Sequence, residues 1–378
     1  MVRCSPVCRR LIHKLDATKR SICARSMSID LRSDTVTLPT ADMLRTAMEA
    51  SLGDDVMGED KTVLELQEYM ADLTGKEAAL FVPTGTMANL AAILSHCNTR
   101  ASDIVIGSTS HIALWEGGGA ANLGGVHTRQ IIEDEDARMD PNDIIDNIFP
   151  DADDHCAKTT LLCLENTQNM LGGVALPPSY MSAMGKLAKE HQIKSHVDGA
   201  RIFNAAIAQD VSAKELCQDI DSISICFSKG LGAPVGSVLV GDSEFIRLAK
   251  RARKRLGGGM RQAGVIASMC LYAAQHNIDR LEDDHRRAKM IASELQNAGF
   301  FLPRNGQVDT NIVYFGLPAD TDISKQEFQM KLESEFHTLL TAGYSKGGEL
   351  FRLVTHMGID DEQIEHATDG IVQLAKKI

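Results

Sequence analysis

A chain of 378 residues, 44% hydrophobic and 24% charged, has the length for a large core plus an appended lobe and the balance of a soluble globular protein. Its formal net charge of −12 argues against nucleic acid as the main partner, and no uninterrupted apolar run reaches the roughly 18 residues that suggest a membrane span. Of the nine cysteines three fall within the first 28 residues; the other six form no CxxC pair and, several of them lying in apolar runs, read as small core residues of a reducing compartment, with no structural zinc site.

Residues 1–28 differ from the rest. They carry Arg3, Arg9, Arg10, Lys14, Lys19, Arg20 and Arg25 against the single acid Asp16. Basic, serine-containing and poor in acids, this leader reads as a mitochondrial presequence in preference to a secretory signal, which needs a longer apolar run. A basic tail on a cytoplasmic protein is the alternative.

From Ile29 to Pro39 the chain is extended and polar, before a helix predicted over Ala41 to Ala50. Gly53 to Asp60 holds Asp54, Asp55, Glu59 and Asp60 and reads by composition as a solvated loop. An amphipathic helix over Lys61 to Thr74 ends at Gly75, which suits a left-handed cap. Ala78 to Val82 is a buried strand running into Pro83-Thr84-Gly85-Thr86 and another helix. Strand, Gly/Thr loop and helix in that order aim free backbone N–H groups and the positive end of a helix dipole at an anion; an ordinary Thr-capped helix has the same pattern.

Asp103 to Gly107 is a further strand, followed by His111 and, four residues on, the only tryptophan, Trp115. Thr159 to Leu164 runs into Glu165, and Ile193 to Val197 into Asp198-Gly-Ala-Arg201, with a helix near Pro178 to His191 between them. Ile223, Ile225 and Phe227 then alternate with Ser222, Ser224 and Cys226, the period of a strand, before the run breaks into Lys229 and a string of glycines. A lysine held there suits an amine nucleophile, because only an uncharged amine forms a Schiff base. Gly230, Gly232 and Gly236 allow close approach to the backbone.

Repeated strand, helix, strand spacing indicates a mostly parallel sheet covered on both faces. Ligands collect at the carboxyl ends of such strands, where Gly85, His111, Glu165, Asp198 and Lys229 all fall. Glu244 to Arg255 reads as a basic, solvated helix, and the glycines after Leu256 as a nest of N–H donors or a close subunit approach. A long helix, about Asn277 to Ala298, and short strands at Asn311 to Phe315 and Leu350 to Val354 make a smaller α+β lobe. The expected division is a leader 1–28, a large domain 29–275 and a small domain 276–378.

Pyridoxal 5'-phosphate needs an amine for its aldehyde, a carboxylate beside its pyridine nitrogen, a ring over its face and an anion cradle. Lys229, Asp198, His111 and the Pro83 to Ala88 turn supply all four. The motifs Leu31-Arg-Ser-Asp-Thr-Val-Thr37, Gly53-Asp-Asp-Val-Met-Gly-Glu-Asp60, Pro83-Thr-Gly-Thr-Met-Ala-Asn89, Leu164-Glu-Asn-Thr167, His196-Val-Asp-Gly-Ala-Arg-Ile-Phe-Asn204, Phe227-Ser-Lys-Gly-Leu-Gly-Ala-Pro-Val-Gly236, Gly257-Gly-Gly-Met-Arg-Gln262 and Arg352-Leu-Val-Thr-His356 resemble those of the low-specificity L-threonine aldolases, from about Ile29 to Leu374.

The resemblance implies a fold type I α/β domain with a mostly parallel seven-stranded sheet. It implies that Lys229 forms the Schiff base, Asp198 pairs with the pyridinium, His111 stacks on the ring, and Gly85 and Thr86 hold the phosphate. Ser33, Arg201 and Arg352 would receive the substrate carboxylate, Trp115 would line the substrate site, and His155 would lie near the substrate hydroxyl. Arg201 also counts among the cofactor contacts, and Lys254 and Arg261 match positions near the phosphate and a subunit interface, to which the acidic loop would then belong.

The implied reaction is retro-aldol cleavage of L-threonine or L-allo-threonine to glycine and acetaldehyde, in an assembly of at least two copies and, by resemblance, four, with sites between subunits. His111, His155 and a bound water are all open as the base for the hydroxyl proton. The rivals are a β-eliminating lyase, which yields pyruvate and ammonia, and a non-catalytic binding protein on the same fold. Met57, Lys61, Trp115 and Gln168 depart from the family pattern, which bears on the preference between the two threonine epimers.

Overall fold

The structure is a computed structural model and describes residues 28–376 apart from 152–153, 320 and 345–349. The targeting signal expected in residues 1–28 lies, save for Ser28, outside the described residues.

The strands β1 (Ala78–Val82), β2 (Ser102–Gly107), β3 (His127–Ile131), β4 (Lys158–Glu165), β5 (Lys194–Gly199), β6 (Ser222–Cys226) and β7 (Ser237–Gly241) form one seven-stranded sheet in the order β1-β7-β6-β5-β4-β2-β3. Only β7 runs against its neighbours; the rest pair in parallel, as the strand, helix, strand rhythm requires. β2, β6 and β7 are buried along their whole length. One face packs Phe81, Leu162, Val197 and Ile223 against helices carrying Met70, Met184 and Phe203, and the other packs Leu80, Val82 and Leu239 against Ala88, Ala92 and Phe245. Fully burying a side chain of this size stabilises the fold by about 1.5–3 kcal/mol.

β3 and β7 were not foreseen. β7 explains the glycine string after Lys229: Phe227–Gly236 is the loop that reverses the chain from β6 into β7, closed by Phe227 N–H donating to Gly236 O at 3.1 Å. Gly236 has φ +123°, and a Cβ there would lie 2.7 Å from Cys270 Sγ. Steric fit and backbone conformation both demand glycine.

The smaller lobe has an antiparallel sheet of β8 (Ile312–Phe315), β9 (Thr341–Ala342) and β10 (Phe351–Val354), with β10 in the middle. The helices Leu281–Asn297, Lys325–Phe336 and Asp361–Lys376 accompany it. Ile29–Asp30 pairs with Thr338–Leu339, and Ile29 and Leu31 are buried in this lobe's core. The segment grouped by sequence with residues 29–275 therefore starts on the small lobe and crosses to the large domain. The helix expected over Asn277 to Ala298 begins at Leu281 and is preceded by a separate one, Gly264–His276. That helix is apolar nearly throughout and lacks the polar stripe that periodicity detects.

Two readings of charge are corrected. In the acidic loop Asp55 and Asp60 are buried: Asp60 caps the helix Lys61–Thr74 through Val63 N–H and accepts from Gly264 N–H at 2.9 Å, and Asp55 pairs with Arg253 at 2.8 Å. The basic helix is likewise not wholly solvated, since Arg253 is 2% exposed and donates to Phe81 O at 2.6 Å. Each buried charge meets a partner, the condition under which burial is tolerated.

Candidate active site

Lys229 stands just beyond β6, in the loop to β7, where Thr37 of the N-terminal segment donates its hydroxyl to Lys229 O at 2.9 Å. Its side chain lines a cavity of about 450 Å³ together with Ser33, His111, Trp115, Arg201 and Arg352. Arg352 comes from the small lobe and Ser33 from the crossing segment, so the cavity lies between the lobes.

β4 and β5 are neighbours, and their pairing at the carboxyl ends sets Glu165 opposite Asp198. Asp198 is 3% exposed; its Oδ1 accepts Ala200 N–H at 3.1 Å and its Oδ2 accepts Asn89 Nδ2 at 2.8 Å. The same Asn89 nitrogen donates to Glu116 Oε1 at 2.8 Å, and His111 Nδ1 meets that oxygen at 3.0 Å while lying 3.9 Å from Asp198 Oδ2. Glu165 accepts the backbone N–H groups of His111 and Asn169.

Three carboxyl groups so close together cannot all ionise freely. Burial, then the Asp198 charge, pushes Glu165 up to about 7 despite its backbone donors. Burial is also the main cause that raises Glu116. Burial opposes protonation of His111, but the hydrogen bond that its Nδ1–H donates to Glu116 and the charges of Asp198 and Glu116 outweigh it and raise its pKa.

The helix Gly85–His96 starts beside this cluster. Thr84 caps it, its Oγ1 accepting Met87 N–H at 3.2 Å and its carbonyl Ala88 N–H at 3.0 Å. The amides of Gly85 and Thr86 are thus first-turn N–H groups that the helix cannot itself pair. A Cβ at Gly85 would come within 2.6 Å of Cys226 Sγ, so the backbone sits tight against the end of β6.

On the opposite side, Asn169 Oδ1 accepts from Arg352 Nη1 at 3.1 Å and from Arg201 Nη1 at 3.5 Å. Arg352 Nη2 donates to Arg32 O at 3.1 Å, and its guanidinium lies 4.9 Å from the Tyr344 ring centre. Trp115 meets the same ring at 4.9 Å and forms the outer wall. Arg201 is less free than expected, because Asp34 holds its Nε and Nη2.

Lys229, Asp198, His111, Ser33, Arg201, Arg352 and Trp115 are thus brought together, with Gly85 and Thr86 beside them. His155 is not. It is exposed just before β4, whose eight residues end at Glu165; at about 3.3 Å per residue it lies roughly 25 Å from the cluster. Only a second copy of the chain could present it to a Lys229 cavity. Lys254 and Arg261 do not line the cavity either: Lys254 is exposed near Gly259, and Arg261 pairs with Asp54 at 2.7 Å.

Asp34, Asn89, Glu116 and Asn169 escaped assignment by sequence. Two of them, Asp34 and Asn89, sit inside the quoted motifs and Asn169 two residues past one, and Asn89, a polar residue amid Ala88 and Leu90 to Ile93, carried the signal of a buried hydrogen-bonding position.

A family model described as Beta-eliminating lyase matches residues 30–317. This chain belongs to the beta-eliminating lyase family. Among curated relatives, the low-specificity L-threonine aldolase of Escherichia coli is 44% identical over 336 residues, covering 89% of this chain and 96% of the relative. Low-specificity L-threonine aldolase 1 of Arabidopsis thaliana is 41% identical over 340 residues, covering 90% and 94%. The solved threonine aldolase of Leishmania major superposes with a TM-score of 0.78 at 17% identity, over 92% of this chain and 99% of that one, and so agrees in fold.

This beta-eliminating lyase family is pyridoxal-phosphate dependent, and the site fits that group. Lys229 is the amine among the cavity residues, Asp198 is a buried carboxylate within reach of the His111 ring, and the Gly85 and Thr86 amides are first-turn donors that the helix leaves unpaired.

Proposed function

We propose that this protein cleaves L-threonine and L-allo-threonine between Cα and Cβ, releasing glycine and acetaldehyde. The observation that carries the reading is the meeting of Arg201 and Arg352 on Asn169 at the mouth of the Lys229 cavity, a cationic seat for an amino-acid carboxylate. The curated relatives named for this activity support it at 41% and 44% identity.

Bound pyridoxal phosphate supplies the electron sink for the pair left on Cα. Lys229 would hold that cofactor through its amine, Asp198 would sit beside the pyridine nitrogen, His111 would stack against the ring, and the Gly85 and Thr86 amides would take the phosphate. The two arginines and Ser33 would seat the substrate carboxylate, and fixing that end of the substrate would select the bond at Cα that is cleaved. Within one chain His111 is the group placed to accept the β-hydroxyl proton: Glu116 engages its Nδ1, leaving Nε2 for transfer.

The test is acetaldehyde and glycine release from L-threonine and L-allo-threonine by wild type and Lys229→Ala, with the visible spectrum of each. A coloured wild type releasing acetaldehyde, and a colourless inert variant, are expected. Pyruvate and ammonia in place of glycine would transfer the protein to the eliminating lyases.

We also propose a dimer or tetramer. Leu38, Met48 and Met57 are 77%, 81% and 70% exposed, an apolar surface that suits a second copy. Light scattering at micromolar concentration giving a monomer would remove this reading. The leader supports import into mitochondria, with glycine formed there; a fluorescent fusion of residues 1–28 that stays diffuse in the cytosol would refute it.

A further inference from the structure

A buried chain of hydrogen bonds runs through the sheet to the carboxylate cluster. His96 Nε2 meets Ser222 Oγ at 2.8 Å, Ser222 Oγ meets His196 Nδ1 at 2.9 Å, and His196 Nε2 meets Asn89 Oδ1 at 3.1 Å. Ser224 Oγ joins at Asn89 Oδ1, 2.6 Å away. From its other end Asn89 donates to Asp198 and Glu116. Asn89 is 1% exposed, and His196, Ser222 and Ser224 are each 0% exposed.

The direction of every bond follows from Asn89. Its nitrogen must face the two carboxylates, because an amide oxygen there would meet only acceptors. Its oxygen then faces His196 and Ser224, so His196 Nε2 carries the hydrogen and Ser224 donates. Burial holds His196 down at about 4 and His96 at about 3, so both rings are neutral near pH 7. A neutral His196 with hydrogen on Nε2 accepts at Nδ1 from Ser222, which in turn accepts from His96 Nε2–H. All four hydrogen-bonding sites of the Asn89 amide are filled, and the amide cannot flip without breaking each of them.

We propose that Asn89 is a positioning residue, which through its amide sets the Asp198 carboxylate against the cofactor nitrogen and, through Glu116, the His111 ring against the cofactor face. Nothing in the anion cradle or the arginine pair requires an amide at this point; an apolar residue would continue the face formed by Ala88 and Ala92. What needs it is the group it donates to. The inference rests on the assignment of Asp198 to the pyridine nitrogen made above.

The experiment compares Asn89→Asp, Ser224→Ala and Asp198→Ala with wild type. Pyridoxal phosphate is titrated into each apoprotein, the visible absorbance of the bound cofactor is followed against pH, kcat and KM are measured for L-allo-threonine, and circular dichroism checks folding. Asn89→Asp keeps the shape but turns the shared donor into an acceptor. A lost hydrogen bond to a charged group predicts an about tenfold or greater rise in the cofactor dissociation constant. A displaced pH midpoint of the absorbance and a fall in kcat larger than any change in KM should accompany it.

Ser224→Ala removes one restraint on the amide and is expected to shift the same quantities in the same direction by a few-fold. A folded Asn89→Asp with wild-type affinity and pH profile overturns the proposal. If Asn89→Asp does not fold, Ser224→Ala decides alone, and wild-type behaviour there overturns it. Asp198→Ala separates the two levels: unchanged cofactor binding in it removes the Asp198 assignment, whereas loss in Asp198→Ala beside wild-type behaviour in Asn89→Asp removes only the role given to Asn89.

Discussion

Asp34 and Arg201 face each other in a two-pronged pair, Nε to Oδ2 and Nη2 to Oδ1 both at 2.7 Å, with 0% and 5% of their side chains exposed. Burial works against the Asp34 charge, but Arg201, with help from Lys229 and Asn311, holds its carboxyl far below the usual range. The pair pins the N-terminal segment to the loop after β5 and leaves Arg201 only Nη1 for the cavity.

Asp34→Ala would leave a guanidinium buried without its partner, at a cost of about 3–5 kcal/mol. Urea unfolding of the apoprotein measures it, and a raised KM for L-threonine should accompany it. The folded pKa is depressed, so the pair's stabilisation is present above the unfolded carboxylate value of about 3.9 and is lost as pH falls below it.

Gly85→Ala drives a methyl group into Cys226 Sγ, 2.6 Å from the ideal Cβ position. Overpacking of this kind costs about 1–3 kcal/mol, and the displaced first turn should weaken cofactor binding. Thermal unfolding and cofactor titration check the two effects. Adding Cys226→Ala should restore most of the stability.

The fall in apoprotein stability on acidification should be shallower in His96→Phe. The His96 pKa is lowered to about 3 in the fold, mainly by burial and next by His196. The unfolded chain therefore binds more protons below pH of about 6.5, so stability present above that value is lost as pH drops towards the folded pKa. The difference between unfolding free energies at neutral pH and near pH 4.5 should shrink by about 1–2 kcal/mol in the variant. Glu165, raised to about 7, acts in the opposite direction, losing stability as pH rises, and is common to both proteins.

Arg352→Lys keeps the charge but removes the fork that reaches both Asn169 Oδ1 and Arg32 O. A point charge in its place orients a carboxylate poorly, so KM for L-threonine is expected to rise about tenfold, equivalent to about 1.4 kcal/mol. Steady-state kinetics test this, and retained cofactor absorbance shows that the cradle is untouched.

Much of this site was legible because its parts sit at strand ends and loop turns, where residue type and spacing carry the information: Lys229 after an alternating run, Asp198 after Ile193 to Val197, Thr84 and Gly85 between strand and helix. The helix Lys61–Thr74, with its Gly75 cap, and the strand Ala78–Val82 follow their sequence patterns to the residue. His155 shows the limit. Its role came only from the resemblance; it lies ten residues before Glu165, and the extended strand Lys158–Glu165 sets it towards the amino end of the sheet, away from the carboxyl ends where the cluster forms.

The sequence by itself determined the parallel α/β domain and set an amine, a carboxylate and a Thr-capped helix start at strand ends, since helix and strand periods and turn chemistry are local properties. Tertiary structure alone decided that Asp55, Asp60 and Arg253 are buried in pairs, that Leu31 belongs to the small lobe's core, and that Arg352 of one lobe meets Arg201 of the other on Asn169. Those contacts join residues far apart in the chain. Whether a charge is solvated or paired depends on which distant group folding brings to it, because desolvation is tolerated only where that group arrives.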